Sequence, residues 1–290
     1  MSLALIVNPS AGGGRAGHDL PAVEAALRQR QLDYRVERTE SLEHARELAG
    51  AASASGDTAV AFGGDGLIGA VAGTLHGRGG VMGVLPGGRG NDFARALGIP
   101  LDASAACEVL ASGAVRSLDL GEAGGRVFIG IASCGFDSDA NRIANEARLV
   151  RGNLVYAYGA LRALASWQPT AFTVRFDGGE PRRAVGYTVA AANSKAYGGG
   201  MWLAPAATLD DGLLDVVIVG HVSKLRFLRL LPTVFKGEHV RQPNVEVFRA
   251  KEIEISAERP FTLYADGDPI AALPVTVRAL PGAVKVIVPR

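Results

Sequence analysis

The chain has 290 residues, 48% hydrophobic and 20% charged, so a packed core is available and disorder over most of its length is excluded. Thirty basic residues against 29 acidic leave a formal charge of +1, which excludes a globally basic nucleic-acid binder, and no nucleic-acid partner is expected. Two cysteines, Cys107 and Cys134, allow neither a disulfide framework nor a CxxC zinc pair. No apolar run reaches the ~18 residues of a membrane span, and the start MSLALIV has no basic n-region. A cytoplasmic location is expected, with peripheral attachment at the inner membrane face left open.

In chain order, Leu3–Val7 reads as a strand closed by Asn8-Pro9, and Ala16–Arg30 as a helix with Val23, Ala26, Leu27 and Arg30 at helical spacing. Tyr34–Arg38 is a strand, and Ser41 caps a helix to about Ala52. Thr58–Phe62 is a buried strand, followed by a helix to Leu75. Val81–Leu85 is a strand, and Asn91 or Asp92 caps a short helix through Leu97. Ala103–Ala111 is helical and Val115–Leu120 a strand. Strands alternating with helices predict a mostly parallel sheet in an α/β domain over residues 1–121.

After Gly121 the texture changes. Val127–Ala132, Ala171–Phe176, Val185–Ala192, Leu214–Val219, Val245–Phe248, Glu252–Ser256, Thr262–Ala265, Val275–Arg278 and Val284–Val288 read as strands. Two helical stretches interrupt them, Asp139–Ala165 (broken at Gly152) and Ser223–Phe235. Residues 122–290 therefore read as a second, β-rich domain.

Three Gly-rich loops follow strands of the first domain. The first is Asn8-Pro9-Ser10-Ala11-Gly12-Gly13-Gly14, the second Gly63-Gly64-Asp65-Gly66-Leu67, and the third Gly87-Gly88-Arg89-Gly90-Asn91-Asp92. Glycine lets backbone N–H groups approach an anion, and a helix N-terminus adds positive partial charge. In an open parallel sheet these strand ends share one crevice. Each loop alone is also compatible with an ordinary turn. Gly12, Gly14 and Gly17 match GxGxxG by spacing, but Asn-Pro intervenes before the first glycine, and no Gly-Lys-Ser/Thr makes a Walker loop. Asp65 is placed to orient a hydroxyl, a water or Mg²⁺, and Arg89 to reach a phosphate. In the second domain, Asp210-Asp211-Gly212 suits a turn or a hard cation, and Asp266 and Asp268 are candidates for a general base.

These motifs in this order resemble the diacylglycerol kinase catalytic family, which includes bacterial lipid kinases, sphingosine kinases and ceramide kinases. The resemblance runs through Asn8-Pro9, Gly63-Gly64-Asp65-Gly66, Gly90–Arg95, Asp119-Leu120-Gly121, Gly198-Gly199-Gly200-Met201, Asp211-Gly212 and Asp266-Gly267. It implies a Rossmann-like, phosphofructokinase-like nucleotide-binding domain and a β-sandwich-like C-terminal domain, with the last strand able to return to the first. It implies ATP as phosphate donor, bound by Asn8, Pro9, Gly12, Gly13, Gly14, Thr39, Gly63, Gly64, Asp65, Gly66, Leu67, Arg89, Asn91 and Asp92. Asp268 falls at the family's proton acceptor, with Asp266 beside it, and Asp65 completes the catalytic set. A structural Mg²⁺ falls at Thr208, Asp211 and Leu213, and Asp65, Asp92 and Asp119 form an acidic network between that ion and the phosphates.

The chain departs from the family pattern at Gly69 and Ala70, where Asn and Glu are usual, at Leu67 and Arg89, where Thr is usual, and at Asp268, where Glu is usual. The expected activity is an ATP-dependent lipid kinase acting on diacylglycerol or a similar lipid alcohol. An NAD kinase-like enzyme with a soluble substrate, or a non-catalytic lipid- or nucleotide-binding regulator, is the alternative. His221–Arg241 has basic residues interleaved with Leu and Phe, which suits either a membrane interface or a core-facing helix. A homodimer is an expectation by analogy with the family.

Overall fold

The computed structural model describes residues 2–146 and 154–290. The first half alternates β1 (Ser2–Val7), α1 (Ala11–Gln29), β2 (Asp33–Arg38), α2 (Leu42–Ala54), β3 (Thr58–Gly63), α3 (Asp65–Leu75), β4 (Val81–Pro86), α4 (Asp92–Leu97), α5 (Ala103–Ser112) and β5 (Ala114–Ala123). β1 pairs in parallel with β2 and β3, and β3 with β4. β1 and β3 are buried almost throughout, because helices cover both faces of a parallel sheet. Ser41 caps α2 as expected, its hydroxyl accepting from the His44 N–H at 3.0 Å.

The second half begins with β6 (Arg126–Phe128), β7 (Ile131–Gly135), α6 (Phe136–Glu146), α7 (Leu154–Ser166), β8 (Thr170–Phe176), β9 (Arg182–Ala192), β10 (Leu214–Gly220) and α8 (Lys224–Leu230). It ends with β11 (Val245–Ala250), β12 (Glu252–Ala257), β13 (Thr262–Ala265), β14 (Asp268–Ala272) and β15 (Val275–Val288). β9 is the hub. Its N-terminal half pairs with β8, its C-terminal half with β7, and its other edge with β10, all antiparallel. The second core fills the space behind these strands with Phe136, Trp167, Phe172, Tyr187, Ile253 and Leu263. The fold is an α/β first half and a β-sandwich-like second half, as the sequence implies.

Some elements differ from expectation. Val127–Ala132 is not one strand: it breaks at Ile129-Gly130, whose N–H groups turn to Asp266. Ser223–Phe235 is not one helix. Pro232 cannot continue the α-helical bonding, and α8 passes into a 3-10 turn over Leu231–Lys236. β14 carries little hydrophobic pattern and was not expected. Gly152 lies outside the described residues.

The two predicted C-terminal strands are one. β15 pairs antiparallel with β12 near its start and with β5 along most of its length, and parallel with β4 at Lys285 and Val286. A register shift between Leu280 and Val284 lets it bend from one half to the other. The strands of both halves thereby join one hydrogen-bonded sheet.

Candidate functional site

The parallel register of β1, β3 and β4 brings the three Gly-rich loops side by side. The Asn8 N–H donates to the Phe62 carbonyl at 3.1 Å, and the Gly87 N–H to the Gly63 carbonyl at 2.8 Å. Backbone meets backbone so closely that only glycine fits. A Cβ on Gly12, where φ is +64°, would lie 2.5 Å from the Gly87 oxygen, and one on Gly88 2.5 Å from the Gly64 Cα. Gly12, Gly13 and Gly14 all have positive φ, so the regular part of α1 begins only after them. Arg89 is exposed at the mouth, its Nη2 about 4.0 Å from where a Gly13 Cβ would be, and it has no side-chain partner among the described residues. Backbone donors and an unpaired guanidinium suit a phosphate chain.

Asp65 and Asp92 face one point of this crevice. A Cβ on Gly90 would sit 3.2 Å from Asp65 Oδ2 and 3.1 Å from Asp92 Oδ2. Asp65 Oδ1 accepts from the Phe93 N–H at 3.1 Å, so it caps α4 from another loop. Asn91, in the N-cap position, instead closes the third loop on itself, accepting from the Gly88 N–H at 2.8 Å and donating to the Gly88 carbonyl at 3.1 Å. Asp92 Oδ2 accepts from the Gly199 N–H at 2.8 Å, which docks the Gly198–Gly200 loop of the second half onto the first. Asp92 Oδ1 is buried without a partner. Burial raises the Asp92 carboxyl above its usual range, and the neighbouring Asp65 charge adds to this. Two close carboxylates with an orphaned oxygen fit a Mg²⁺ that shares its remaining ligands with phosphates and water.

Across the crevice stands the turn between β13 and β14. Asp266, at φ +52°, accepts from the Ile129 N–H at 2.8 Å and the Gly130 N–H at 3.0 Å. Burial pushes its carboxyl up to about 7, against the pull of the Ile129 donor and with the push of Asp65. Asp268 is exposed at the start of β14. Asn193 fixes the Asp266 donors: its Nδ2 donates to the Ile129 carbonyl at 2.9 Å and to the Asp119 carbonyl at 3.0 Å. The backbone N–H groups of Asn193 and Ser194 both donate to the Gly130 carbonyl.

Thr208, Asp211 and Leu213 also come together. The Thr208 hydroxyl donates to Asp211 Oδ2 at 2.6 Å, and the Leu213 N–H to Asp211 Oδ1 at 3.0 Å. The same Oδ2 holds the Arg249 guanidinium in an ion pair. A divalent ion there would share one carboxylate with a fixed positive charge, so these residues as arranged do not fit it. Asp119 is buried nearby, with its oxygens taken by the Gly212 N–H at 2.6 Å and the Gly282 N–H at 2.7 Å. It does not share the Asp65 and Asp92 cluster around Gly90.

Other predicted positions present less to the crevice. Thr39 is buried with its N–H donating to Val7 and its hydroxyl donating to the Ser41 carbonyl. Leu67 is 2% exposed and packs in the first core beneath Gly63. Pro9 receives the Gly17 N–H on its carbonyl, and Gly66 is exposed with open space around it.

Residues 2–123 match the diacylglycerol kinase catalytic domain, and residues 130–288 the YegS C-terminal NAD kinase beta sandwich-like domain. The diacylglycerol kinase of Mycobacterium tuberculosis (strain H37Rv) is 35% identical, covering 98% of this chain and 94% of that protein. The chain belongs to the diacylglycerol kinase family. The family's Bacillus subtilis (strain 168) member, also named diacylglycerol kinase, is 30% identical over 81% of this chain and 78% of its own. A crystal structure of a diacylglycerol kinase from Bacillus anthracis str. Sterne shares the fold, with TM-score 0.78 at 22% identity over 99% of this chain and 96% of that one.

Within this lipid kinase family, the departures at Gly69 and Ala70 fall at different depths. A Cβ on Gly69 would stand 3.9 Å from Asp266 Oδ2, so the missing side chain leaves space beside that half-buried acid. Ala70 is buried in the first half. Sequence reasoning missed Asn193 and Gly130. The signal for Asn193 is the polar Asn-Ser pair that ends the apolar run Val185–Ala192.

Proposed function

We propose that the protein transfers the γ-phosphate of ATP to the hydroxyl of diacylglycerol or a similar lipid alcohol. The observation that carries this reading is the crevice itself: a cradle of glycine backbone and Arg89 on one wall, and the Asp266–Asp268 turn on the other. The Asn8–Gly14 and Gly63–Gly66 loops would hold the phosphates by N–H groups, with Arg89 as a charge-assisted donor. Asp65 and Asp92 would hold the Mg²⁺ that accompanies ATP, which supplies neutralisation of phosphate charge.

Asp268 accepts the proton of the lipid hydroxyl. The freed oxygen lone pair forms a bond to the γ-phosphorus, the bond from that phosphorus to the bridging oxygen breaks, and ADP leaves with the electron pair. Asp266 holds the turn against Ile129 and Gly130 and keeps Asp268 opposite the phosphate cradle. Positioning and charge neutralisation supply most of the rate. Burial holds the Asp266 carboxyl up to about 7, well above an ordinary aspartate.

The test is transfer of labelled γ-phosphate from Mg·ATP to a membrane-lipid extract. A labelled lipid that disappears in both Asp65→Ala and Asp268→Ala, with each variant folded, supports the reading. ATP binding with no labelled lipid sinks it.

A further inference from the structure

Among the described residues, an apolar surface beside α8 is left exposed. This helix has seven residues, a length that is marginal in water, and none of them is buried. It is anchored mainly through Phe227, whose ring stacks on Tyr187 at 4.1 Å between centroids and meets Phe136 edge-on at 4.9 Å. Lys224 Nζ ties it to α7 by donating to the Ala165 carbonyl at 2.7 Å. Leu225, Leu228 and Leu231 recur every three residues and form one stripe. Leu225 is 60% exposed and Leu228 40%. Leu228 and Leu231 face Ala160, Leu161 and Leu164 of α7 across a groove of about 230 Å³ with Phe136 in its lining. Leu161 is itself 58% exposed.

The charge beside this stripe is of one sign. Arg226 and Arg229 are exposed and have no carboxylate partner among the described residues. Lys224 and Lys236 add to them, and Glu238 is the one acid between His221 and Arg241. Water solvates a guanidinium well and a leucine badly. The surface that satisfies both within one helix width is a phospholipid leaflet with anionic headgroups above an apolar layer. A second copy packed about a two-fold axis would set these arginines against their own equivalents.

We propose that the α7–α8 face docks on an anionic leaflet, with Leu225, Leu228 and Leu161 entering the interface and Arg226 and Arg229 meeting headgroup phosphates. The proposal deepens the lipid-kinase reading and rests on it for its purpose. β7 lies between Gly130, whose N–H donates to Asp266, and Phe136 in the groove, and six residues of extended chain span roughly 20 Å at most. A leaflet on this face therefore lies within reach of the acidic turn.

The test is co-sedimentation of the full chain, without ATP, with vesicles of phosphatidylcholine alone or mixed with phosphatidylglycerol, at low and high salt. Binding to the mixed vesicles only, weakened by salt, is expected. The Leu225→Glu/Leu228→Glu pair should abolish it. Arg226→Gln and Arg229→Gln should each lower affinity about fivefold. Thermal melts check that the variants fold. Phosphate transfer to a short-chain diacylglycerol dispersed without vesicles should stay at the wild-type level in all of them. Wild-type vesicle binding with no lipid phosphorylation defeats the kinase reading and leaves the docking face standing. Equal sedimentation of wild type and the double-Glu variant overturns the docking proposal. So does a dimer in the absence of vesicles that the double-Glu variant dissolves, with no vesicle binding by either.

Discussion

The substitution Asp266→Asn removes the charge of this half-buried acid while keeping its shape. Burial moves the Asp266 carboxyl from an ordinary value of 3.8 to about 7. That is about three pH units at ~1.4 kcal/mol each, a ceiling of ~4 kcal/mol on the cost of ionising it in the fold. The crevice is open on one side, so solvent screening brings the expected cost to about 2 kcal/mol. Between roughly pH 4 and 7 the folded protein keeps a proton that the unfolded chain has released. Wild-type stability therefore falls as pH rises through this window and levels off above it. The Asp266→Asn variant escapes that fall. In exchange, its amide turns an N–H₂ toward either the Ile129 or the Gly130 donor, which costs ~1–2 kcal/mol at every pH. Asp266→Asn should thus be the less stable protein at ~pH 5 and equal or more stable at ~pH 8. Asp137, which burial raises to about 6, titrates in the same window but is present in both proteins and cancels. Urea unfolding at a series of pH values measures the difference. Parallel stability curves from pH ~4 to ~8 would show that Asp266 does not titrate where the geometry places it.

Gly88→Ala should cost ~2 kcal/mol or more, since its Cβ would meet the Gly64 backbone at 2.5 Å; an unchanged urea midpoint would refute this. Asn193→Ala strips donors from the Ile129 and Asp119 carbonyls and should cost ~2–4 kcal/mol, with phosphate transfer falling alongside. Loss of stability with undiminished transfer would show that Asn193 does not hold the acidic turn. Arg89→Ala should leave the melting temperature in place and raise the KM for ATP about tenfold, the worth of one charge-assisted hydrogen bond. Because Arg249 occupies Asp211, any Mg²⁺ dependence of the wild-type Tm should persist unchanged in Asp211→Asn, whereas Arg249→Met should gain a further rise with Mg²⁺. A wild-type Tm shift with Mg²⁺ or EDTA that Asp211→Asn abolishes would mean that a metal, not Arg249, balances Asp211.

Much of the fold was legible because periodicity is local. The α/β alternation up to Ala123 follows from apolar runs, Gly-rich strand ends and the Ser41 cap, all within a few residues of one another. Elements shaped by distant partners were not legible. The break at Ile129-Gly130 exists because Asp266, over 130 residues later, takes both N–H groups. The fusion of two predicted strands into β15 depends on pairing with both β12 and β4. The Leu and Phe spacing runs on past Pro232, so the local pattern reads as one helix where the chain passes into a 3-10 turn.

The candidate site divides in the same way. The amino-acid sequence by itself determined which residue types stand at the strand ends: glycines where backbone must approach backbone, and aspartates where charge must gather. Its motif order was enough to point to a lipid kinase family. Only the tertiary structure decided which of these groups face one another. It set Asp65 beside Asp92, gave Asp211 to Arg249, turned Leu67 into the core, and made Asn193 the latch behind Asp266. The physical reason is range. A turn or a strand end is settled by neighbours along the chain, whereas burial, pairing and the proton affinity of a carboxyl depend on groups that only folding brings within a few ångströms.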